Sequence, residues 1–376
     1  MESIRPLTAM GLMSGKSLDG VDAALLVTDG VDVFQSGAGL NRPYDMDMRA
    51  DLKAVTGEGA DGEALKEMER RLTLFHADVV RDLLDLAGLR PQDVDIIGFH
   101  GQTVRHHPEK HELFQIGDGE LLARETGVSV VGRFAQSDVA NGGRGGPVLS
   151  AYHAALTAKM EKPVAVVNIG GVANVTWIGE NGELCAFDTG PGNAPIDDWV
   201  LKKCGMNFDF DGNLAASGKA DEKIVETVLK RAYFKKHPPK AADRNDFHDI
   251  LTAVDGLSPA DGAATLTAVS ARSIIAAVND FLPVPPKKIV LCGGGAANPT
   301  LVRLIRLGAK ASVVCARDVG WDGALLEAQG MAFLAARSLF GLPIFFPTTT
   351  GVPAPVCGGT LYPFVPAAVR NGRKKM

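Results

Sequence analysis

The sequence predicts an α/β protein made of two similar halves, and three observations carry that prediction. At 376 residues the chain is long enough for two domains of the usual ~100–200 residues, each able to bury its own core. Two apolar hairpins recur about half a chain apart, each turning on glycine: "TAMGLMSG" followed by "VDAALLVTDG", and "KPVAVVNIGGVANVTWIG" over residues 162–179. Around them, buried-strand patterns alternate with helix patterns, which predicts mostly parallel sheets covered on both faces.

The elements follow in order. "GEALKEMERRLTLFHADVVRDLLDLAGL" places apolar residues at helical spacing through Leu72, Phe75, Val79 and Leu83, and Gly88 closes it as a C-cap. Pro91 leads into "DVDIIGFHG", a short strand ending in a glycine turn; "GELLARETG" reads as a short helix and "VSVVG" as a strand. In the second half, Ser258 is the N-cap of a long helix with Asp261 three residues on. "KKIVLCGGG" is a buried strand ending in three glycines. "NPTLVRLIRLG" takes Asn298 as N-cap and Pro299 at the first position, where a missing N–H costs nothing. "GALLEAQGMAFLAARSLFG" is the last helix. With no low-complexity linker to mark it, the expected division is 1–135, joined by the C-terminal tail 360–376, and 136–359.

Composition narrows the class. Apolar content of 46% and charged content of 22% are those of a globular chain, and a net charge of −5 gives no basic surface for nucleic acid. No apolar stretch approaches the ~18 residues that span a bilayer, and "MESIRPLTAMG" lacks the regions of a secretory signal. Five dispersed cysteines without a C-x-x-C pair suit reduced thiols, with Cys292 and Cys315 in core strands. The expectation is a cytoplasmic protein without a nucleic-acid or membrane partner.

"GLMSGKSLDGVD", Gly11 to Asp22, mimics a phosphate-binding P-loop, but the leading glycine comes one residue late and Asp19-Gly20 makes a second turn where a helix should begin. Glycine turns also end strands at Gly142-Gly143, Gly170-Gly171 and Gly293-Gly294-Gly295. Each is explained by a sharp turn alone; together they offer backbone N–H groups at strand ends, where anions bind in α/β sheets. Two hairpin turns facing each other would clamp a polyphosphate. Asp188, in "AFDTGPGNAPIDDW", follows an apolar run and precedes a glycine turn, so it either meets a ligand or caps the turn. "FHGQTVRHHPEKH" holds four histidines; Pro108 argues against the helix that would put His107 and His111 on one face, and no cysteine or carboxylate cluster completes a metal site. "GRFAQSDVANGGRGGP" adds Arg133, Asp138 and Arg144, and the planar fork of arginine suits a sugar or carboxylate.

Assembled, the chain resembles the anhydro-N-acetylmuramic acid kinases of the actin-like, hexokinase-like and Hsp70-like ATPase superfamily. The motifs are "GLMSGKSLDGVD", "FHGQTVRHHP", "FQIGDGELLA", "GRFAQSDVANGGRGGPVLSAYH", "VNIGGVANVT", "FDTGPGNAPIDDW", "CGGGAANPTL" and "GWDGALLEAQGMAFLAARSLFGLPIFFPTTTGVPAP", in family order over nearly the whole chain. Two positions depart from the family pattern: Lys16 stands where it has threonine, and Gly330 where alanine is usual.

The resemblance implies two duplicated actin-like (ribonuclease H-like) ATPase domains with an active-site cleft between them. It implies ATP and Mg²⁺, and 1,6-anhydro-N-acetylmuramic acid as the small-molecule substrate, opened with water and phosphorylated on its 6-oxygen. Asp188 is then the general base. Thr103, Arg133, Asp138 and Glu327 are the substrate contacts. Gly11, Ser14, Gly15, Lys16, Ser17, Asp19, Gly20 and Asp22 form the first phosphate hairpin, and Gly170, Gly171 and Asn174 the second. Gly293, Gly294 and Gly295 receive the adenosine side, and Asp19 and Asp22 orient Mg²⁺ through water. A homodimer is compatible with this reading. A levoglucosan-type kinase and a non-catalytic nucleotide-binding regulator on the same fold are the alternatives.

Overall fold

The computed structural model describes residues 5–15, 17–56 and 62–366; Lys16 and the end of the tail lie outside them. Its strands are β1 (Leu7–Ser14), β2 (Gly20–Thr28), β3 (Val33–Pro43), β4 (Ile96–Phe99), β5 (Gln102–His107), β6 (Glu112–Ile116) and β7 (Val130–Gly132). The later strands are β8 (Val164–Ile169), β9 (Val172–Ile178), β10 (Leu184–Pro191), β11 (Lys288–Cys292), β12 (Ser312–Cys315) and β13 (Thr360–Tyr362). One sheet runs β13-β7-β4-β1-β2-β3 and the other β10-β9-β8-β11-β12, with β5-β6 a separate hairpin. Laid side by side, β3-β2-β1-β4-β7 and β10-β9-β8-β11-β12 have the same topology. Each is a three-strand antiparallel meander continued by two parallel strands. The duplication expected from the paired hairpins is written in the strand order.

The sheets are mixed, not mostly parallel as expected. The hairpins are the reason: a short turn returns the chain antiparallel beside itself, while a parallel partner needs a long crossover. β3 left no alternation to read because it is an edge strand, mostly exposed, with the polar sequence VFQSGAGLNRP. "FHGQTVRHHPEKH" forms the β5-β6 hairpin, with Pro108 at its turn, so His107 and His111 share no helix.

The helices follow their sequence signals. Gly62–Ala87 buries Leu72, Val79 and Leu83 against the first sheet. It ends with Gly88 at φ 65° and Leu89 N donating to Leu84 O at 2.9 Å. Ser258 caps Pro259–Asp280 by accepting from Asp261 N at 3.1 Å. Asn298 caps Pro299–Gly308 by accepting from Thr300 N and Leu301 N, both at 3.0 Å.

Helix Leu326–Leu339 positions the two halves. It crosses β1, β2 and β4 of the first sheet at backbone distance: a Cβ on Gly11 would overlap Ala328 O, and one on Gly98 would overlap Met331 O. Its side chains enter a core containing Ala9 and Ile96 of the first sheet and Val164, Val166 and Cys292 of the second. The chain thus returns to the first sheet through residues 326–339 and again through β13, which pairs with β7.

Candidate active site

The first glycine turn joins β1 to β2 over residues 15–19. Side chains alternate along a strand, and Met10, Leu12 and Ser14 point into the first core while Met13 and Asp22, directly paired, lie on the other face. Ser14 Oγ accordingly donates to Gln102 Oε1 at 2.6 Å and sits 2.7 Å from Tyr44 Oη. Gln102 Nε2 reaches back to Gly15 O at 3.3 Å, and Tyr44 N donates to Asp19 O at 3.0 Å. Three of the expected phosphate residues are placed by packing or by support of the turn. Ser14 is wholly buried beneath the turn, its hydroxyl engaged there. Gly11 lies mid-strand under a helix, where it is glycine for packing. Gly20 is similarly pressed against Arg42 O of β3. Gly15 meets nothing closer than Ser17 Oγ at 3.4 Å. On the outward face Asn41 Nδ2 donates to Asp22 Oδ1 at 2.7 Å, and burial, then Asp19 and Asp322, raise the Asp22 carboxyl above its ordinary range.

The second turn, Gly170-Gly171, is braced by Asn193 N donating to Gly170 O at 2.9 Å and Gly192 N donating to Gly171 O at 3.0 Å. Neither glycine has a positive φ, and an added Cβ would meet only ordinary contacts, 3.5 Å from Val172 O and from Ala194 Cβ respectively. Either position has room for a methyl group. In the triglycine, Gly293 has φ 79° and Gly295 packs on Ile169, while Gly294 meets nothing closer than Asn193 Nδ2 at 3.9 Å. Asn193 Oδ1, between these turns, is buried without a protein partner. Its Nδ2 donates to Asp197 Oδ2 at 2.8 Å. Asp197 is pushed up to about 7, by burial first, and it feels the charge of Asp19. A cavity of about 430 Å³ opens nearby between helices Pro259–Asp280 and Pro299–Gly308, with Thr300, in the first turn after the triglycine, in its wall.

A polar row crosses the second sheet beside these turns. Asn168 pairs with Asn174, and Asn174 with Asp188, so three strand ends place them at one level on one face. Asn168 Nδ2 donates to Glu327 Oε1 at 3.0 Å, joining the row to the first turn of the helix that lies on the other sheet. Burial raises the Glu327 carboxyl, and the charge of Asp22 raises it further. Asp188 is buried, at 8% exposure, and Ala242 N donates to its Oδ2 at 2.9 Å. This carboxylate is held in position by its own lobe.

The expected substrate contacts divide. Thr103 Oγ1 accepts from Gln115 Nε2 at 3.0 Å across the β5-β6 hairpin, one residue from the Gln102 that supports the first turn. Gln115 Oε1 is buried without a partner. Gln115 lines one small hollow with His100 and Arg133, whose φ of 59° turns it out ahead of helix Phe134–Ala140. Asp138 is a different case and a correction. It is wholly buried, accepting from Thr350 Oγ1 at 2.5 Å and Gly145 N at 2.7 Å, and a Cβ on Gly143 would overlap its carboxylate. It organises the 142–145 loop and has no face left for a sugar. No group of three or more His, Cys, Asp or Glu side chains is arranged as a metal cage among the described residues.

Gln102, Gln115, Asn168 and Asn193 are the positions that sequence reasoning passed over. Asn168 had a signal, since it is the one polar residue in the strand VAVVNI. The two glutamines had none, because their value comes from pairings across β5-β6 and β1.

The sequence model of the anhydro-N-acetylmuramic acid kinases matches residues 7–364. An anhydro-N-acetylmuramic acid kinase of Paramagnetospirillum magneticum is 48% identical over 354 residues, covering 94% of this chain and 99% of the relative. One from Rhodospirillum rubrum is 48% identical over 365 residues, 96% of each chain. Another, from Rhizorhabdus wittichii, is 45% identical over 363 residues, 95% of this chain and 99% of that one. With the duplicated sheets, a glycine turn after the first strand of each, and an end-to-end match of this kind, the chain belongs to the anhydro-N-acetylmuramic acid kinase family.

Proposed function

We propose that the protein opens 1,6-anhydro-N-acetylmuramic acid with water while moving the γ-phosphoryl group of ATP to the freed 6-oxygen, giving N-acetylmuramic acid 6-phosphate and ADP. Water adds at the anomeric carbon as the bond from that carbon to the 6-oxygen breaks; the 6-oxygen takes the phosphoryl group, and the water proton passes to a base. Asp188 is that base. The observation that carries this assignment is its placement: a carboxylate fixed by Ala242 N, in register with Asn174 and Asn168 beside the Gly170-Gly171 turn.

The open glycines at Gly15, Gly170 and Gly171 present backbone to the phosphates from two lobes. The adenosine side lies over Gly294, toward the cavity beside Thr300. Glu327, held by Asn168, faces the substrate from the first lobe. Thr103 and Arg133 line the sugar side, Arg133 offering its fork to the lactyl carboxylate. Asp19 and Asp22, at the first turn and the start of β2, are the carboxylates offered through water to a cation carried in on phosphates. When bound, Mg²⁺ neutralises charge on the transferring group.

General-base assistance is worth ~10²–10⁴-fold, so Asp188→Asn is expected to bind ATP and lose that much turnover in a coupled ADP-release assay. Turnover near wild type refutes the assignment. ADP release with levoglucosan as fast as with the anhydromuramyl sugar would remove Arg133 from carboxylate recognition.

A further inference from the structure

Lys240 is among the largest wholly buried side chains, 2% exposed, and the mechanism above makes no use of it. Its Nζ donates to Tyr233 O at 3.2 Å and lies 4.8 Å from the ring centres of Tyr233 and Phe281 and 5.6 Å from that of Phe187. Phe187 is the residue before Asp188. The segment around Lys240 also grips Asp188 at three atoms. Asp188 N donates to Lys240 O at 3.0 Å, Tyr233 Oη donates to Asp188 O at 2.7 Å, and Ala242 N donates to Asp188 Oδ2 at 2.9 Å. Asp188, Lys240 and Tyr233 thus close a ring of hydrogen bonds through main chain and side chain.

An ammonium is an expensive way to fill an aromatic box. An apolar side chain of the same length would occupy it without the cost of stripping a charge of water. The rings recover part of that cost, yet stability alone gives no reason for a cation here. Its neighbour does. Burial lowers the ammonium to about 8, Lys236 pushes the same way and Asp188 pulls back, so at pH 7 the group is charged beside the carboxylate.

We propose that Lys240 is a positioning residue for Asp188: its buried ammonium pins the 233–242 segment to β10, so that the carboxylate presents to the attacking water in a single orientation. This rests on Asp188 being the base.

The test is steady-state kinetics of the full chain at pH 7, with ATP and the anhydro sugar varied in turn. Misplacing a reacting group by an ångström costs about 10²-fold, so Lys240→Met is expected to lose about that in kcat while both KM values stay within about twofold. Because it leaves a buried carboxylate without its cationic neighbour, Lys240→Met is expected to melt lower than wild type, so kcat is compared at a temperature where circular dichroism shows both proteins fully folded. Lys240→Arg, which keeps the charge, should recover about tenfold of the loss. A Lys240→Met kcat within about threefold of wild type, or a loss confined to KM, overturns the proposal. Should Lys240→Met fail to fold, Tyr233→Phe decides: it deletes the bond to Asp188 O, keeps the ring, and is expected to lower kcat about tenfold at constant KM. An unchanged kcat there overturns the proposal equally. Asp188→Asn separates the two readings. An active Asp188→Asn sinks the base assignment; an inactive one beside a fully active Lys240→Met sinks only the role of Lys240.

Discussion

Burial raises three carboxyls near the glycine turns before any ligand arrives. Asp197 is raised to about 7, Asp22 and Glu327 are raised too, and burial is the first cause in all three. A carboxyl raised on folding takes up a proton, so the stability linked to it is complete below its unfolded value of ~3.9 and is lost as pH climbs through the folded value. For Asp197 that window runs from about 4 to about 7. Asp197→Asn removes the titration while keeping an amide oxygen for Asn193 Nδ2. Its urea midpoint should match wild type near pH 4 and exceed it increasingly up to pH 7.5, by a margin on the order of 1–3 kcal/mol. Parallel pH profiles for the two proteins would show that Asp197 is charged at no such cost. At this scale the residue types were legible in the sequence and their directions were not. Asp138 and Asp188 are both buried acids beside glycine turns, but Asp138 faces a loop that folds over it and Asp188 stands in register with two asparagines across three strands.

Glycines show the same divide one level up. Sequence patterns placed both hairpins because an apolar run, a glycine turn and a second apolar run leave the chain few other choices. They could not say what each glycine is for, since that depends on which partner lies above it. Gly11 and Gly98 let a helix touch a sheet, a contact between residues more than two hundred apart, whereas Gly170 and Gly171 would take a methyl at ordinary contact distance and have no positive φ. Two alanine variants separate the roles. Gly11→Ala drives a methyl into Ala328 O, backbone against backbone, and overpacking of this kind costs roughly 1–3 kcal/mol or more; its melting temperature should fall by several degrees. Gly171→Ala meets only Ala194 Cβ at 3.5 Å. It should melt like wild type, while its KM for ATP rises about tenfold as a methyl enters the phosphate approach. If Gly171→Ala binds ATP normally, the second turn does not hold phosphate.

Across the whole molecule, the two lobes are joined unequally. At the base, helices Ser150–Leu156 and Leu326–Leu339 share one apolar core with both sheets, reinforced by Tyr152 Oη donating to Gln329 Oε1 at 2.9 Å. Two polar contacts lie outside that core. Asn168 meets Glu327 at 3.0 Å, and Lys236 of the second lobe meets Glu109 of the first at 2.6 Å. The Glu109 carboxylate is 62% exposed, and an exposed ion pair is worth about 0–1 kcal/mol. We therefore expect the lobes to close about the shared core as a hinge. A ligand touching both turns favours the state in which they are close, by as much as its contacts differ between the two states. Small-angle scattering should therefore show a smaller radius of gyration with a non-hydrolysable ATP analogue and the anhydro sugar together than with either alone. Lys236→Gln should enlarge that difference at low salt by opening the ligand-free form, and added salt should erase the enlargement. A radius indifferent to both ligands would mean that the turns already stand at their working separation and that the mouth pair guards nothing.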